Sequence, residues 1–190
     1  MSRLVATLRL DAKLQARNKV YVIIVVFAVA VAFAMRTLLT PDQLRFFMPM
    51  VTLMGVNLTT VFLVGVLLML ERGEGTLDVV LVSPLRPSEY LASKLITLTV
   101  LALLESAIIV GAGFASGFAV GWLLLAVILR ASLGVALGVI VAVRFRSFTR
   151  FLIPAIGASM VLDLPNLWYL GLWPSSLFYL WPAMPSLLIA

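Results

Sequence analysis

Five apolar runs, each long enough to cross the hydrocarbon of a bilayer, constrain this chain more than any other feature. A membrane-spanning helix needs about 20 mainly apolar residues. The first run is Val20–Leu39, uncharged until Arg36. The second is Phe46–Leu70, interrupted only by Pro49, Gly55, Asn57 and Gly65. The third, Tyr90–Gly113, contains Glu105, and the fourth, Phe118–Val143, contains Arg130. The fifth starts near Phe148 and fades around Leu170. The expected fold is an all-α polytopic membrane protein. It forms one transmembrane domain over residues 1–190, with no repeat and no low-complexity linker to divide it. Ala32-Phe33-Ala34 looks like a signal cleavage site, but the charged segment before the first run is too long for a signal peptide.

Composition narrows the chemistry. Only 12% of the 190 residues are charged, about half the usual share of a soluble domain. Too few polar side chains are present to give a small sphere a wet skin, which excludes a soluble globular enzyme. The sequence has no cysteine and no histidine. Disulfide scaffolds, imidazole acid–base catalysis, Ser-His and Cys-His pairs and most zinc and haem sites therefore fall away. No catalytic or metal-ligating constellation remains, and an intramembrane enzyme lacks a nucleophile–base pair.

The net charge of +6 is explained by topology rather than by nucleic acid. The N-terminus carries Arg3, Arg9, Lys13, Arg17 and Lys19; the loop after the second run has Arg72, Arg86 and Lys94; the loop after the fourth has Arg144, Arg146 and Arg150. The opposite side has only Arg36 and Arg45. The positive-inside rule then puts the N-terminus in the cytoplasm of a multi-pass cell-membrane protein, with the C-terminus outside. Residues 1–19 read as an amphipathic helix. Arg9, Lys13 and Arg17 form a basic stripe, away from which Leu4, Val5, Leu8, Ala12 and Ala16 cluster. Such a helix lies in the membrane interface with its basic face toward anionic headgroups.

Residues 71–88, between the first pair of spans (20–70) and the later three (90–170), form the most informative loop. Gly73 and Gly75 break the second helix, Thr76 can cap a short helix over Leu77–Val82, and Ser83-Pro84 stops it. That short helix exposes Leu77, Val79, Val80, Leu81 and Val82, so it rests on the membrane or docks into a partner's groove. The string Glu71-Arg72-x-Glu74-Gly75-Thr76-Leu77, then Leu81-Val82-Ser83-Pro84-Leu85, then Glu89-Tyr90-Leu91-x-x-Lys94, resembles the signature of type 2 ABC transporter permeases.

That resemblance implies an interfacial N-terminal helix, six spans, and a coupling helix that inserts into a cytoplasmic ABC ATPase subunit. Glu71, Arg72, Glu74, Gly75, Thr76 and Leu77 would form the transmission contact. It implies a second permease copy, or a homologue, as dimer partner. No G-x-x-x-x-G-K-[ST] phosphate loop occurs here. The chain therefore carries no cofactor of its own, and ATP and Mg belong to the partner ATPase. After Pro185 only Ser186–Ala190 follow, too few to cross a bilayer, so this chain is one span short of the layout the resemblance implies.

Three polar residues stand inside the runs: Asn57, Glu105 and Arg130. A lone charge at that depth costs about 2.5–3.5 kcal/mol on insertion scales. Glu105 and Arg130 lie equally far from the turn between the third and fourth spans, so the expectation is that they pair or share a polar cluster. Asn57 reads as interhelical glue. Gly113, Gly117 and Gly121 recur every four residues, as do Gly134 and Gly138, a spacing that lets helices approach closely. From Asp163 onward, Pro165, Pro174, Pro182 and Pro185 alternate with Trp168, Tyr169, Trp173, Phe178, Tyr179 and Trp181. Residues 171–190 are expected to form short broken or re-entrant helices at the outer surface.

The expected function is the transmembrane subunit of an ABC exporter, moving a hydrophobic or amphiphilic cargo. The other class that fits is a membrane-embedded accessory or assembly protein that docks a cytoplasmic partner without a path of its own.

Overall fold

A computed structural model describes residues 3–75, 86–112, 120–145, 147–173 and 175–189, and every regular element among them is helical. Helix α1 (Arg3–Arg17) turns at Lys19, whose φ of 55° is left-handed, into α2 (Val20–Leu38). Asn18 stabilises the corner by donating from Nδ2 to the Leu14 carbonyl at 2.9 Å. Then come α3 (Pro41–Gly73), α4 (Pro87–Ala112), α5 (Val120–Val143) and α6 (Phe148–Asp163). Three short pieces close the chain: α7 (Pro165–Tyr169), a 3₁₀ turn (Ser176–Leu180) and α8 (Met184–Ile189).

Five helices are long and apolar enough to cross a membrane: Val20–Leu38, Pro41–Gly73, Pro87–Gly111, Gly121–Val143 and Phe148–Tyr169. They coincide with the five apolar runs. The second starts earlier than hydropathy alone indicates, because Thr40-Pro41-Asp42-Gln43 is a capping box. Thr40 Oγ1 accepts from the Gln43 amide at 3.5 Å, and Gln43 Oε1 accepts from the Thr40 amide at 3.1 Å. At 1.5 Å per residue its 33 residues make a rod of about 50 Å, well beyond a hydrocarbon core of about 30 Å. Its last turn therefore projects past the apolar layer, and Gly75, at φ +67°, ends it.

Helix α3 is the hub, touching α2, α4, α5, α6 and α8. Glycines set how closely its neighbours approach. A Cβ at Gly134 would lie 2.1 Å from Thr60 Oγ1, and one at Gly138 would lie 2.3 Å from Val64 Cγ1 and 2.9 Å from the Val61 carbonyl oxygen. The four-residue glycine spacing in α5 thus serves packing within the chain, against α3. On an adjoining face of α3, Gly65 leaves room for the Phe151 ring of α6. Gly121 meets nothing within 4 Å, whereas Gly113 and Gly117 lie outside the described residues.

Helix α1 docks on α4 through Thr7, Asp11, Leu14 and Gln15, all buried. That face is not the apolar stripe of the sequence reading. Val5 and Leu10 stay exposed, beside the basic Arg9, Lys13 and Arg17. At the other end of the bundle the proline-rich tail does break into short helices. Ala183, just before α8, and Met184 and Leu187 within it are buried, Met184 and Leu187 in a cluster with Leu53, Val56 and Val127. Two of the tail's aromatic polar edges bond to backbone: Tyr169 donates its hydroxyl to the Phe46 carbonyl at 2.9 Å and Trp181 its indole N–H to the Val161 carbonyl at 3.0 Å. Phe46 and Tyr169 also stack with centroids 5.0 Å apart.

Because the atoms that a Gly138 side chain would strike include backbone, Gly138→Val should cost about 1–3 kcal/mol. Thermal unfolding in detergent should show a clear drop in Tm for that variant and little change for Gly121→Ala, which points into open space.

Candidate functional site

Two clusters of buried charge organise the helices, one at the C-terminal end of α3 and one at its middle. The first lies at the end that carries most of the lysines and arginines. Lys94, 1% exposed, extends from α4 between two carboxylates: Asp11 of α1, at 2.5 Å from Nζ, and Glu71 of α3. Asp11 also accepts from Ser93 Oγ at 2.5 Å, and Glu71 accepts from the Tyr90 hydroxyl. The Lys94 ammonium stands 5.2 Å from the centroid of the Tyr90 ring, one turn back on the same helix. A buried ammonium is tolerable only when paired and hydrogen-bonded, and this one has both.

The next residues of α3 extend the lock. Arg72 donates from Nη1 to the Phe145 carbonyl at 2.7 Å and from Nη2 to the Val143 carbonyl at 3.4 Å. These oxygens belong to the last turn of α5 and the residues after it, where a cation also suits the helix dipole. Glu74 pairs with Arg17 at the end of α1, with both side chains substantially exposed. Glu71, Arg72 and Glu74 are thus engaged within the chain, each with a different helix. Thr76, Leu77 and the rest of the expected coupling helix lie outside the described residues. Gly75 is placed as the left-handed residue that turns the chain away from α3.

The second cluster lies deeper. Arg130 of α5 forms an ion pair with Asp163, the last residue of α6. Asn57 of α3 donates from Nδ2 to Asp163 Oδ2 at 2.9 Å and to the Ser159 carbonyl at 3.2 Å. Three spans are joined through one carboxylate, and Asn57 is the interhelical glue its sequence position indicates. Several buried polar atoms here have no protein partner: Asn57 Oδ1, Arg130 Nε and Ser159 Oγ.

The expected Glu105–Arg130 pair is not formed. Glu105 points at α3 instead, where Thr59 Oγ1 donates to Oε1 at 3.1 Å while Oε2 has no partner. The reason is direction around the helix axis. Arg130 is as far from the α5–α6 turn as Asp163 is, just as it is from the α4–α5 turn as Glu105. Depth therefore offered two acids, and only one faces it. Asp163 reads in the sequence as a boundary rather than a partner, because it stands where the apolar text gives way to the aromatic tail. The same equal-distance test applied to the next helix pair finds it. Asp11 and Lys94 were masked in a similar way, since each reads as an ordinary charge flanking a span. Among the described residues, no group of three or more acidic side chains is placed to hold a metal.

Removing one member of the deep pair strands its partner, a loss of about 3–5 kcal/mol. Arg130→Leu should lower the unfolding temperature in detergent sharply. Adding Asp163→Leu should recover part of the loss, and adding Glu105→Leu should recover none.

Residues 2–190 match the fluoroquinolones export permease protein family. Fluoroquinolones export permease proteins from two strains of Mycobacterium tuberculosis are each 31% identical to this chain over 191 residues, covering 100% of it and 80% of the relative. No solved structure gives a significant match. The five apolar helices, the internally neutralised charges and the full-length sequence match agree: the chain is a multi-pass membrane permease of an export system and belongs to the fluoroquinolones export permease protein family.

Proposed function

We propose that this chain is the transmembrane subunit of a type 2 ABC exporter in the cell membrane, its N-terminus cytoplasmic, driven by ATP hydrolysis on a separate subunit. The reading rests above all on the anchoring of α3 where it enters the 76–85 loop. Glu71 holds Lys94 and Tyr90 of α4, Arg72 holds the end of α5, and Glu74 holds α1. A push on a loop rooted in this lock reaches four helices at once, as the coupling of an ATPase to a bundle requires. Glu71 is 4% exposed, so its part is to hold the base of the loop, while Glu74, Gly75, Thr76 and Leu77 make the contact with the ATPase.

The eleven basic residues at this end, against two at the other, support its cytoplasmic placement. In the same orientation α1 lies along the interface. Its buried face is against α4, and its exposed basic residues are toward headgroups. The tail that tucks α8 against α3 and α5 then forms the re-entrant outer rim. Two copies, or one copy and a homologue, enclose the path. The cargo is a hydrophobic or amphiphilic drug- or lipid-like molecule, with fluoroquinolones a first choice because the relatives are named for them.

Copurification of an ABC ATPase with this chain from its native membrane is the direct test. The ATPase should copurify with the wild type and fall at least tenfold with Glu74→Ala/Leu77→Ala, while Arg17→Ala alone, which frees Glu74, retains it. ATPase retained by the double variant would refute the coupling assignment. A stable complex whose ATP hydrolysis ignores every cargo tried would mark a docking protein instead.

A further inference from the structure

Glu105 is the buried acid that neither charge cluster uses. It is 0% exposed and takes part in none of the ion pairs among the described residues. The segment 113–119, beyond the end of α4, contains no charged residue at all. Among the described residues Glu105 has one hydrogen-bond partner, the Thr59 hydroxyl on Oε1, and Oε2 has none. Among the described residues the other strongly buried charges are compensated, Lys94 by two carboxylates and Arg130 by one. An unpaired carboxyl group at membrane depth is costly enough that it persists mainly where it has a task.

Its surroundings leave it a route. Gly55 of α3 faces the carboxyl so closely that a Cβ there would lie 3.1 Å from Oε1 and 3.9 Å from the edge of the Phe27 ring. Phe27 belongs to α2, is itself 37% exposed, and so stands between the Glu105 niche and the outer surface of the bundle. Helix α2 packs chiefly on α4 and barely on α3. The α2–α3 seam beside Phe27 is consequently the weakest side of the niche.

We propose that the niche of Gly55, Thr59 and Glu105 behind Phe27 is a recognition site for the protonated amine of an amphiphilic cargo, entered from the lipid through the α2–α3 seam. Thr59 holds Oε1 and aims Oε2 at the incoming ammonium, which supplies the countercharge the protein withholds. The apolar body of the cargo stays along the seam where Phe27 has swung aside. The proposal rests on the export reading but can fail separately from it, because binding needs no ATPase.

The test uses the full chain purified in dodecyl maltoside, with a nitrobenzoxadiazole-labelled dodecylamine and its uncharged N-acetyl derivative as probes. The wild type should bind the amine at least tenfold more tightly than the acetylated probe. Glu105→Gln keeps an acceptor for Thr59 but no charge, so it should bring that ratio to about one while binding the acetylated probe as before. Equal binding of both probes by the wild type, or an undiminished preference in the Gln variant, would overturn the assignment. A second measurement needs no variant. Dicyclohexylcarbodiimide, which attacks carboxylic acids in apolar surroundings, should label Glu105, and the amine but not its acetyl derivative should protect it. Absence of labelling at Glu105, or protection by both probes alike, would count equally against the site.

Discussion

A single ammonium held between two carboxylates supports the arrangement of this bundle. Lys94 cannot remain charged among helices without Asp11 and Glu71, and each of these can reach it from one direction only. Asp11 reaches it if α1 lies across α4, and Glu71 if α3 ends level with the first turns of α4. Satisfying Lys94 therefore fixes the N-terminal helix against the bundle and sets the register of α3 against α4. Arg72 then has the end of α5 within reach, and Glu74 has Arg17. The exposed Arg17–Glu74 pair adds little stability by itself, since such pairs are worth at most about 1 kcal/mol. The buried triad supplies the position that makes that pair possible.

Between this cluster and the Arg130–Asp163–Asn57 cluster, α3 is held by shape rather than charge. Gly134, Gly138 and Gly65 let α5 and α6 approach its backbone on two sides. In lipid no hydrophobic effect drives helices together, because the surrounding tails are as apolar as leucine. Close packing and polar contacts must do that work, and α3 has both along its length. Helix α2 has neither to the same degree. Its outward residues Val22, Ile23, Val26 and Phe33 are well exposed, and its buried line, Val20, Ile24, Ala28, Ala32 and Met35, is narrow.

Span positions were legible in the sequence because hydropathy summed over 20 residues overwhelms local preference, and all five runs became helices. Helix ends were legible where chemistry marked them, as Gly75 does for α3, and were missed where the mark was short, as with the Thr40 capping box. Which face of a helix meets which neighbour was much less legible. The basic stripe of α1 is real, but the face it buries carries Asp11 and Gln15, polar residues that a hydrophobicity argument assigns to water. Depth along a span follows from counting, whereas direction around it depends on packing contributed by residues far away in sequence. Arg130 shows the difference, since counting brings it level with both Glu105 and Asp163 and packing chooses Asp163.

The same distinction explains why the motif after α3 carries both a structural and a functional demand. Glu71 and Arg72 face inward and are spent on Lys94, Tyr90 and α5, so changing them disturbs the bundle whatever the loop beyond them does. Glu74 is the first acidic residue of the string to stand in the open, and Gly75 the first to leave helical geometry. The boundary between holding and contacting therefore falls between Arg72 and Glu74. A loop leaving such a base has a fixed origin, and a fixed origin lets a force on the loop move helices instead of merely bending the chain. Helix α2, joined to α1 by the Lys19 corner and otherwise supported mainly by α4, is the span that such a movement can shift at least cost to the α3 hub.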